Sequence, residues 1–567
     1  MFRIVYFLVF AAVFITWAEP PAAVVIDVPM RDGVLLKTDV YTPSSGGPAF
    51  PVMFIRSPYP RTAMKTEAIS FAENGVAAVV QDVRGTGASG GTFTGFLDDG
   101  WAGNTDGADT VTWIAEQPWC NGKIGSSGAS AGANTQALMA PATDKLSCQY
   151  LEVGAHNFYL DVAFPGGVWR PEQTDKWFAM FGEKGESARQ TLRSHPTYDA
   201  FWANLNADAQ ASKITAPGMH VGGWFDIFKE GTIRAFTARQ YNGGAGAKGN
   251  QRMIIKPGGH GEYKSDLPFK FPENIFDVKI SRERARFLAH WLTGEENGID
   301  NEPPITYYVI GDDQDSGAPG MEWRTANRWP PFPPREKALY LYGEELTEVL
   351  PETVVGREFV FDPASRMPTV GGTNLTIPFG PYDQRELLTR KDLLLFTGPV
   401  LAEPVETTGR VRVVLHVSSD APDTDFTAKL MDVYPNGDER HILVLESIQR
   451  VKLREGFDKV APPLTRDAVV PIEIDLGHIS WVFNRGHRMA LLISSSNYPH
   501  FEVNPNTGED FPHTELRTAV NAVHTSAQRP SALYIPIRMP ELDSDKDGLT
   551  DEAEWDKFTD SNDPKSK

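Results

Sequence analysis

The 567-residue sequence predicts an α/β domain followed by an all-β domain. Three observations carry this. Between residues 24 and 300, apolar runs of strand length alternate with helix-like segments, the order of a mostly parallel sheet with crossover helices. From about Pro303 the alternation stops, and short alternating strands follow between Pro, Gly, Asp and Asn turns, as in a β-sandwich. Within residues 121–136, Gly128-Ala129-Ser130-Ala131-Gly132 reads as a sharp strand-to-helix turn that lifts a serine above a sheet. A chain of this length is too long for one core.

The elements follow in order. Residues 24–42 alternate around Arg31-Asp32-Gly33, which predicts an opening hairpin. Residues 51–56 and 76–82 are strand-length apolar runs, and 106–117 is helix-like. Strands are expected at 124–127, 148–153, 219–223 and 253–256. Phe287, Leu288, Trp291 and Leu292 give 281–293 helical spacing. Residues 155–215 interrupt the alternation, are rich in Trp and Phe, and predict a helical cap. Downstream strands are expected at 411–417, 427–433, 470–474 and 489–494. The organisation expected is thus a leader at 1–18, an α/β catalytic domain at 24–154 and 216–300, the cap at 155–215, an all-β domain at 301–538 and an acidic tail at 539–567.

Lys and Arg number 54 against 74 Asp and Glu, a net charge of −20, which argues against nucleic acid or an anionic membrane as partner. Residues 1–18 have the form of a secretory signal: Arg3 precedes an apolar run, and Thr16-Trp17-Ala18 puts small residues at −3 and −1 of a cut before Glu19. Periplasmic or secreted localisation follows as an expectation, with no membrane partner after cleavage. Cys120 and Cys148 are the two cysteines; an exported chain permits a disulfide between them, and two free thiols are the alternative.

A serine nucleophile needs a base, and the base a carboxylate to orient it. In α/β-hydrolases the chain order is Ser, Asp, His. Asp226 follows an apolar run and Gly222-Gly223; His260 follows residues 253–256 on a Gly-rich loop. Ser130, Asp226 and His260 are therefore the catalytic candidates. Two oxyanion donors are expected: the Ala131 N–H, directly after the nucleophile, and the Tyr59 hydroxyl, on the loop after residues 51–56.

Further stretches support a wider likeness: Met30-Arg31-Asp32-Gly33, Pro58-Tyr59, the run from Gln81 through Arg84-Gly85-Thr86-Gly87 to Ser89, Gln117-Pro118-Trp119, Gly223-Trp224-Phe225-Asp226, and Ser419-Asp420-Ala421-Pro422 with Ser494-Ser495-Ser496-Asn497 in the β region. Together they resemble the cocaine esterase/NonD hydrolases, relatives of Xaa-Pro dipeptidyl-peptidases, over residues 25–538 or so. The resemblance implies an α/β-hydrolase domain with an inserted helical cap, a C-terminal jelly roll closing one side of the pocket, and acyl transfer through an acyl-serine to a small ester or amide substrate. It implies no cofactor for catalysis. In the amino-acid ester hydrolases of this group, acids after the catalytic Asp hold a substrate ammonium; Phe228 and Lys229 stand there instead. That disfavours an α-amino substrate, unless Glu172 or Asp175 of the cap supplies the anion. Strict dipeptidyl-peptidase activity is therefore the second reading. A non-catalytic, calcium-dependent binding protein is a third, disfavoured by the full Ser, His, Asp and Tyr set. A metal hydrolase is a fourth, but no histidine pair has ligand spacing near the elbow.

The tail carries ten Asp/Glu against four Lys. Asp543, Asp545, Asp547, Asp551 and Glu554 fall at positions 1, 3, 5, 9 and 12 of the calcium-loop template, with Gly548 at 6. Residues 559–564 resemble the end of a thrombospondin type 3 repeat, so calcium is expected here, remote from catalysis.

Overall fold

The computed structural model describes residues 21–261, 267–435, 437–466, 468–509 and 515–558. The leader 1–18 and the segment 559–564 lie outside the described residues.

The expected hairpin opens the fold: β1 (Val24–Pro29) pairs antiparallel with β2 (Leu35–Tyr41). The strands β3 (Phe50–Ser57), β4 (Ala77–Asp82), β5 (Cys120–Ala129), β6 (Leu146–Glu152), β7 (Gly218–Phe225) and β8 (Gln251–Gly259) then run parallel. They are buried almost throughout, as a sheet covered on both faces must be. Crossovers are made by α1 (Lys65–Glu73), α2 (Asp106–Ala115) and α3 (Ala131–Met139). Between β6 and β7 lie the short α4 (Lys176–Ala179), α5 (Gly182–Arg193) and α6 (Ala200–Ala203), with 3-10 and π turns around them. These form the helical insertion over the sheet. The helices α7 (Lys229–Asn242) and α8 (Ile280–Leu288) complete the layers.

Residues taken with the all-β domain in the sequence extend this first sheet. β9 (Ile305–Val309) continues the parallel register from β8, and β10 (Glu322–Ala326) closes the edge antiparallel. The sheet has ten strands in the order β1-β2-β4-β3-β5-β6-β7-β8-β9-β10. The chain changes sheets only after Ala326. Periodicity could not show this, because a buried parallel strand and a sandwich strand are both short apolar runs.

The second sheet system has eleven strands: β11 (Arg335–Tyr342), β12 (Glu345–Thr347), β13 (Val355–Phe361), β14 (Leu394–Thr397), β15 (Val405–Ser419), β16 (Asp425–Val433), β17 (His441–Arg450), β18 (Val470–Phe483), β19 (Arg488–Ser494), β20 (Ala519–Thr525) and β21 (Ala532–Ile537). The long β15 pairs with β18, β20 and β21 and alternates cleanly, burying Val411, Val413, Leu415 and Val417. One apolar core runs through both sheets, from Trp224 and Ile305 to Val413, Ile479 and Trp481. Backbone bonds join them too: Ile310 N–H donates to the Ser480 carbonyl (3.0 Å), and Val482 N–H to the Ile310 carbonyl (2.8 Å).

Cys120 and Cys148 are free thiols. The register explains why. Cys148 pairs with Gly125, five residues beyond Cys120 on the same strand, which separates the two by roughly 16 Å along the strand, far beyond bridging distance. A short helix ends the described chain, α9 (Asp551–Lys557).

Candidate active site

β5 ends in the elbow. Ser130 takes φ 54° and ψ −124°, a backbone that costs energy in any non-glycine residue and persists only because its surroundings enforce it. Ser130 N–H donates to the Glu152 carbonyl at the end of β6 (2.9 Å), and Asn134 N–H to the Ser130 carbonyl (3.0 Å). Gly128 is required here: a Cβ on it would lie 2.4 Å from the Gly132 backbone. The result is a serine at the mouth of α3, with Ala131 opening that helix and its N–H among those no helical carbonyl receives.

Asp226 and His260 leave the carboxyl ends of the adjacent strands β7 and β8, the edge where open α/β sheets place their sites. The two loops pack so closely that a Cβ on Gly223 would meet the Gly258 carbonyl at 2.3 Å. This brings Ser130 Oγ 2.8 Å from His260 Nε2, and His260 Nδ1 2.7 Å from Asp226 Oδ2. The other Asp226 oxygen accepts the Phe228 N–H (2.7 Å). The carboxylate is 1% exposed and the Phe228 ring stands edge-on to the imidazole, so the pair is shielded from water. Beneath the loop, the buried Arg170 donates to the carbonyls of Asp161 and Ile227, and to Thr373 of the C-terminal half. Nothing in the local sequence marked Arg170.

Tyr59 sits on the loop after β3. Its N–H donates to Ser57 Oγ (3.1 Å). Two residues on, Arg61 N–H donates to Asp82 at the end of β4 (2.7 Å), which fixes the loop to the sheet. The Tyr59 hydroxyl stands beside Ser130 and accepts the Trp177 indole N–H (2.8 Å). Burial raises its pKa, against the lowering effect of the bond from Trp177, so the phenol stays neutral and keeps its proton. With one lone pair occupied by Trp177, that proton is free to point toward the serine. A neutral phenol and a helix-opening N–H flanking one hydroxyl form the donor pair that a tetrahedral oxyanion needs. Trp177 was legible only as one of many cap aromatics; its role depends on where the cap folds back.

A small pocket opens beside Ser130, walled by Phe96, Phe158, Trp177, Phe178 and Phe228. Leu375 closes it from the C-terminal half. A larger cavity, of about 170 Å³, lies across the Asp226–Ile227 segment, lined by charged groups that include Arg170, Lys229 and Glu230. Its lining does not include Ser130.

Of the residues considered as ammonium anchors, Asp175 is committed elsewhere and Glu172 is committed through one of its two carboxylate oxygens. Glu172 Oε1 accepts the backbone N–H groups of Leu375 (2.8 Å), Thr376 and Ile377 (3.3 Å), tying the cap to the C-terminal half. Asp175 accepts from Trp169 and Arg189, each at 3.0 Å. Phe228 lines the Ser130 pocket, whereas Lys229 turns into the larger cavity 3.5 Å from Glu230, where burial lowers its pKa.

In the tail, Asp543, Asp545 and Asp547 converge, their carboxylate oxygens within 4.8 Å of one another. Asp551 is not brought into that cluster: it accepts from Ser544 (2.7 Å) and pairs with Arg335. Glu554 is fully buried on α9. That helix docks beside the strand where the chain changes sheets. Arg328 stacks on Trp555 (3.6 Å) and Phe558 (4.5 Å), and Trp555 Nε1 donates to the Pro330 carbonyl (2.8 Å).

Comparison with known proteins gives concordant results. The family model described as X-Pro dipeptidyl-peptidase (S15 family) matches residues 32–190 and 182–262, and that of the X-Pro dipeptidyl-peptidase C-terminal non-catalytic domain matches 297–534. The chain is 30% identical to a cocaine esterase from Rhodococcus sp. (strain MB1 Bresler), over 90% of this chain and 97% of the relative. It is 25% identical to a putative serine esterase of Mycobacterium bovis, over 84% and 91%. Among solved structures, an aminopeptidase from the marine sediment archaeon Thaumarchaeota archaeon shares the fold at a TM-score of 0.77, with 24% identity over 92% of this chain and 97% of that one.

Proposed function

The chain belongs to the cocaine esterase/NonD family of serine hydrolases, and we propose that it cleaves neutral acyl esters through an acyl-serine formed on Ser130. The observation that carries the reading is the continuous Asp226–His260–Ser130 hydrogen-bond chain, with Tyr59 and Ala131 N–H flanking the hydroxyl.

His260 Nε2 takes the Ser130 proton as Oγ attacks the acyl carbon. Asp226 holds the Nδ1–H tautomer and stabilises the imidazolium. The carbonyl oxygen, now an alkoxide, is received by the Tyr59 hydroxyl and the Ala131 N–H. His260 then gives its proton to the leaving alkoxide, and water repeats the sequence to free the acid.

An ester is favoured over an Xaa-Pro amide because Asp175 spends its carboxylate within the protein, Glu172 is held through Oε1 by the C-terminal half, and the pocket walls beside Ser130 are aromatic. The test is an ester panel (acetate to octanoate, phenylacetyl, glutaryl) with a Gly-Pro anilide, run on wild type and Ser130→Ala. Turnover abolished in Ser130→Ala, with esters faster than the anilide, is expected. Faster release from the anilide would replace this reading with a dipeptidyl-peptidase, and activity surviving in Ser130→Ala would end it.

Two further parts of the proposal concern the ends of the chain. The leader supports export, with a mature terminus at Glu19 checked by N-terminal sequencing. The converging Asp543, Asp545 and Asp547 support a calcium site. Calcium is then structural: chelation lowers the thermal midpoint and leaves the ester kcat unchanged.

A further inference from the structure

Arg170 is 4% exposed, yet among the described residues no carboxylate stands within ion-pair distance of its guanidinium. It donates instead to three carbonyls: Nη1 to Asp161 (3.2 Å) and Ile227 (3.3 Å), and Nη2 to Thr373 (3.1 Å). These acceptors belong to the insertion over the sheet, to the residue after the catalytic Asp226, and to the C-terminal half. A buried charge without a counter-charge in contact is costly, and persists only where its surroundings offset that cost. Burial lowers the Arg170 pKa, and four acids work against it: Glu172, Asp161, Asp226 and Glu446. Two of them have cations of their own, since Asp161 pairs with Arg234 and Glu446 with Lys429. Glu172 is held by backbone N–H groups at Oε1, and Asp226 accepts the Phe228 N–H and faces the His260 ring. The other charges in the region are spent on each other. Lys229 lies 3.5 Å from Glu230, which also pairs with the His478 ring (2.7 Å), and Asp475 stands beyond them. Burial, with Arg170 and Lys429 nearby, holds the His500 pKa well below the ordinary histidine value, so that ring is neutral.

Resting on the serine esterase reading above, we infer that Arg170 is a positioning residue for the catalytic Asp226: it ties the Asp226–Ile227 turn to the cap and to the C-terminal half, and its charge supports the carboxylate that orients His260. The Ile227 carbonyl is one residue from Asp226, so the bond to it limits how far the carboxylate can swing from the imidazole. The charge acts over a longer path, through a buried region where Coulombic effects reach further than in water. A cation beside the Asp226–His260 dyad disfavours the form of the dyad that has gained a proton. That form cannot accept the Ser130 proton. Without Arg170 it persists to higher pH.

The experiment takes pH profiles of kcat/KM for 4-nitrophenyl butyrate on wild type, Arg170→Met, Arg170→Gln, Arg170→Lys and Ser130→Ala. In the two uncharged variants kcat is expected to fall roughly 10- to 100-fold with KM little changed. Their acid limb should move up by about half to one pH unit. Glutamine keeps a donor and serves alone if methionine impairs folding. Arg170→Lys keeps the charge, so its acid limb should coincide with that of wild type. Its kcat stays lowered, because an ammonium does not replace the guanidinium fork. A merely structural role would lower kcat and the thermal midpoint and leave the limb in place. An unmoved limb in the uncharged variants, or a shifted limb in the lysine variant, would overturn the inference and leave the esterase intact. Turnover that persists in Ser130→Ala, or is absent from wild type, would overturn the esterase reading instead. The histidine Cε1 resonance that disappears in His260→Gln then decides on Arg170 without chemistry: equal titration midpoints in wild type and Arg170→Gln overturn the inference, and a higher midpoint in Arg170→Gln upholds it.

Discussion

The Trp177–Tyr59 contact shows how one hydrogen bond can be set by another. The indole N–H occupies a phenol lone pair, and in the proposed mechanism this leaves the phenol proton for the reacting oxygen. Tyr59→Phe is expected to lower kcat by about 10²- to 10³-fold, the range for losing one oxyanion donor. Trp177→Phe keeps the ring and removes the N–H, and is expected to lower kcat about tenfold with KM little changed. In the double variant the Trp177 effect should vanish, because it acts through Tyr59; full additivity in steady-state kinetics would refute that dependence. At this scale the sequence was legible where chemistry is local. Ser130, Asp226 and His260 stand at strand ends in a fixed order, and the structure brings them within hydrogen-bonding distance. Trp177 and Arg170 were not legible, since each acquires its role from neighbours more than forty residues away.

Among the elements, the parallel strands announced themselves as apolar runs, while β9 and β10 did not reveal which sheet they join. The β domain holds a titrating element that its sequence hid: His487 lies between Asp432 (2.8 Å) and Asp312 (3.2 Å). Burial works against the imidazolium, but hydrogen bonds from the ring to both carboxylates outweigh it and raise the pKa to about 9. A pKa raised on folding adds stability that is whole below an ordinary histidine pKa of about 6.5 and is lost as pH rises through the folded value. The thermal midpoint should therefore fall between about pH 6.5 and 9, and more steeply in wild type than in His487→Gln; parallel curves would refute the assignment. The cap tether is a second element-scale device. Glu172→Ala leaves the N–H groups of Leu375 and Ile377 without their acceptor, and is expected to cost about 1–3 kcal/mol. Limited proteolysis should then cut within 155–215 sooner than in wild type.

For the whole molecule, the shared core is the ruling fact. Because Trp224 and Ile305 of one sheet belong to the same apolar cluster as Ile479 and Trp481 of the other, neither half can lose its packing alone. Calorimetry should give one cooperative transition, and two resolved transitions would contradict it. The Glu230–His478 pair (2.7 Å) joins α7 to β18 across the same boundary.

Leu375 belongs to one half of the chain and Ser130 to the other, yet they face a common space. One wall of the pocket is thus written in a different stretch of sequence from the serine and the aromatic walls. Variation at Leu375 would reshape one side of that space around an unaltered serine, with no change to the shared core and no catalytically dead intermediate.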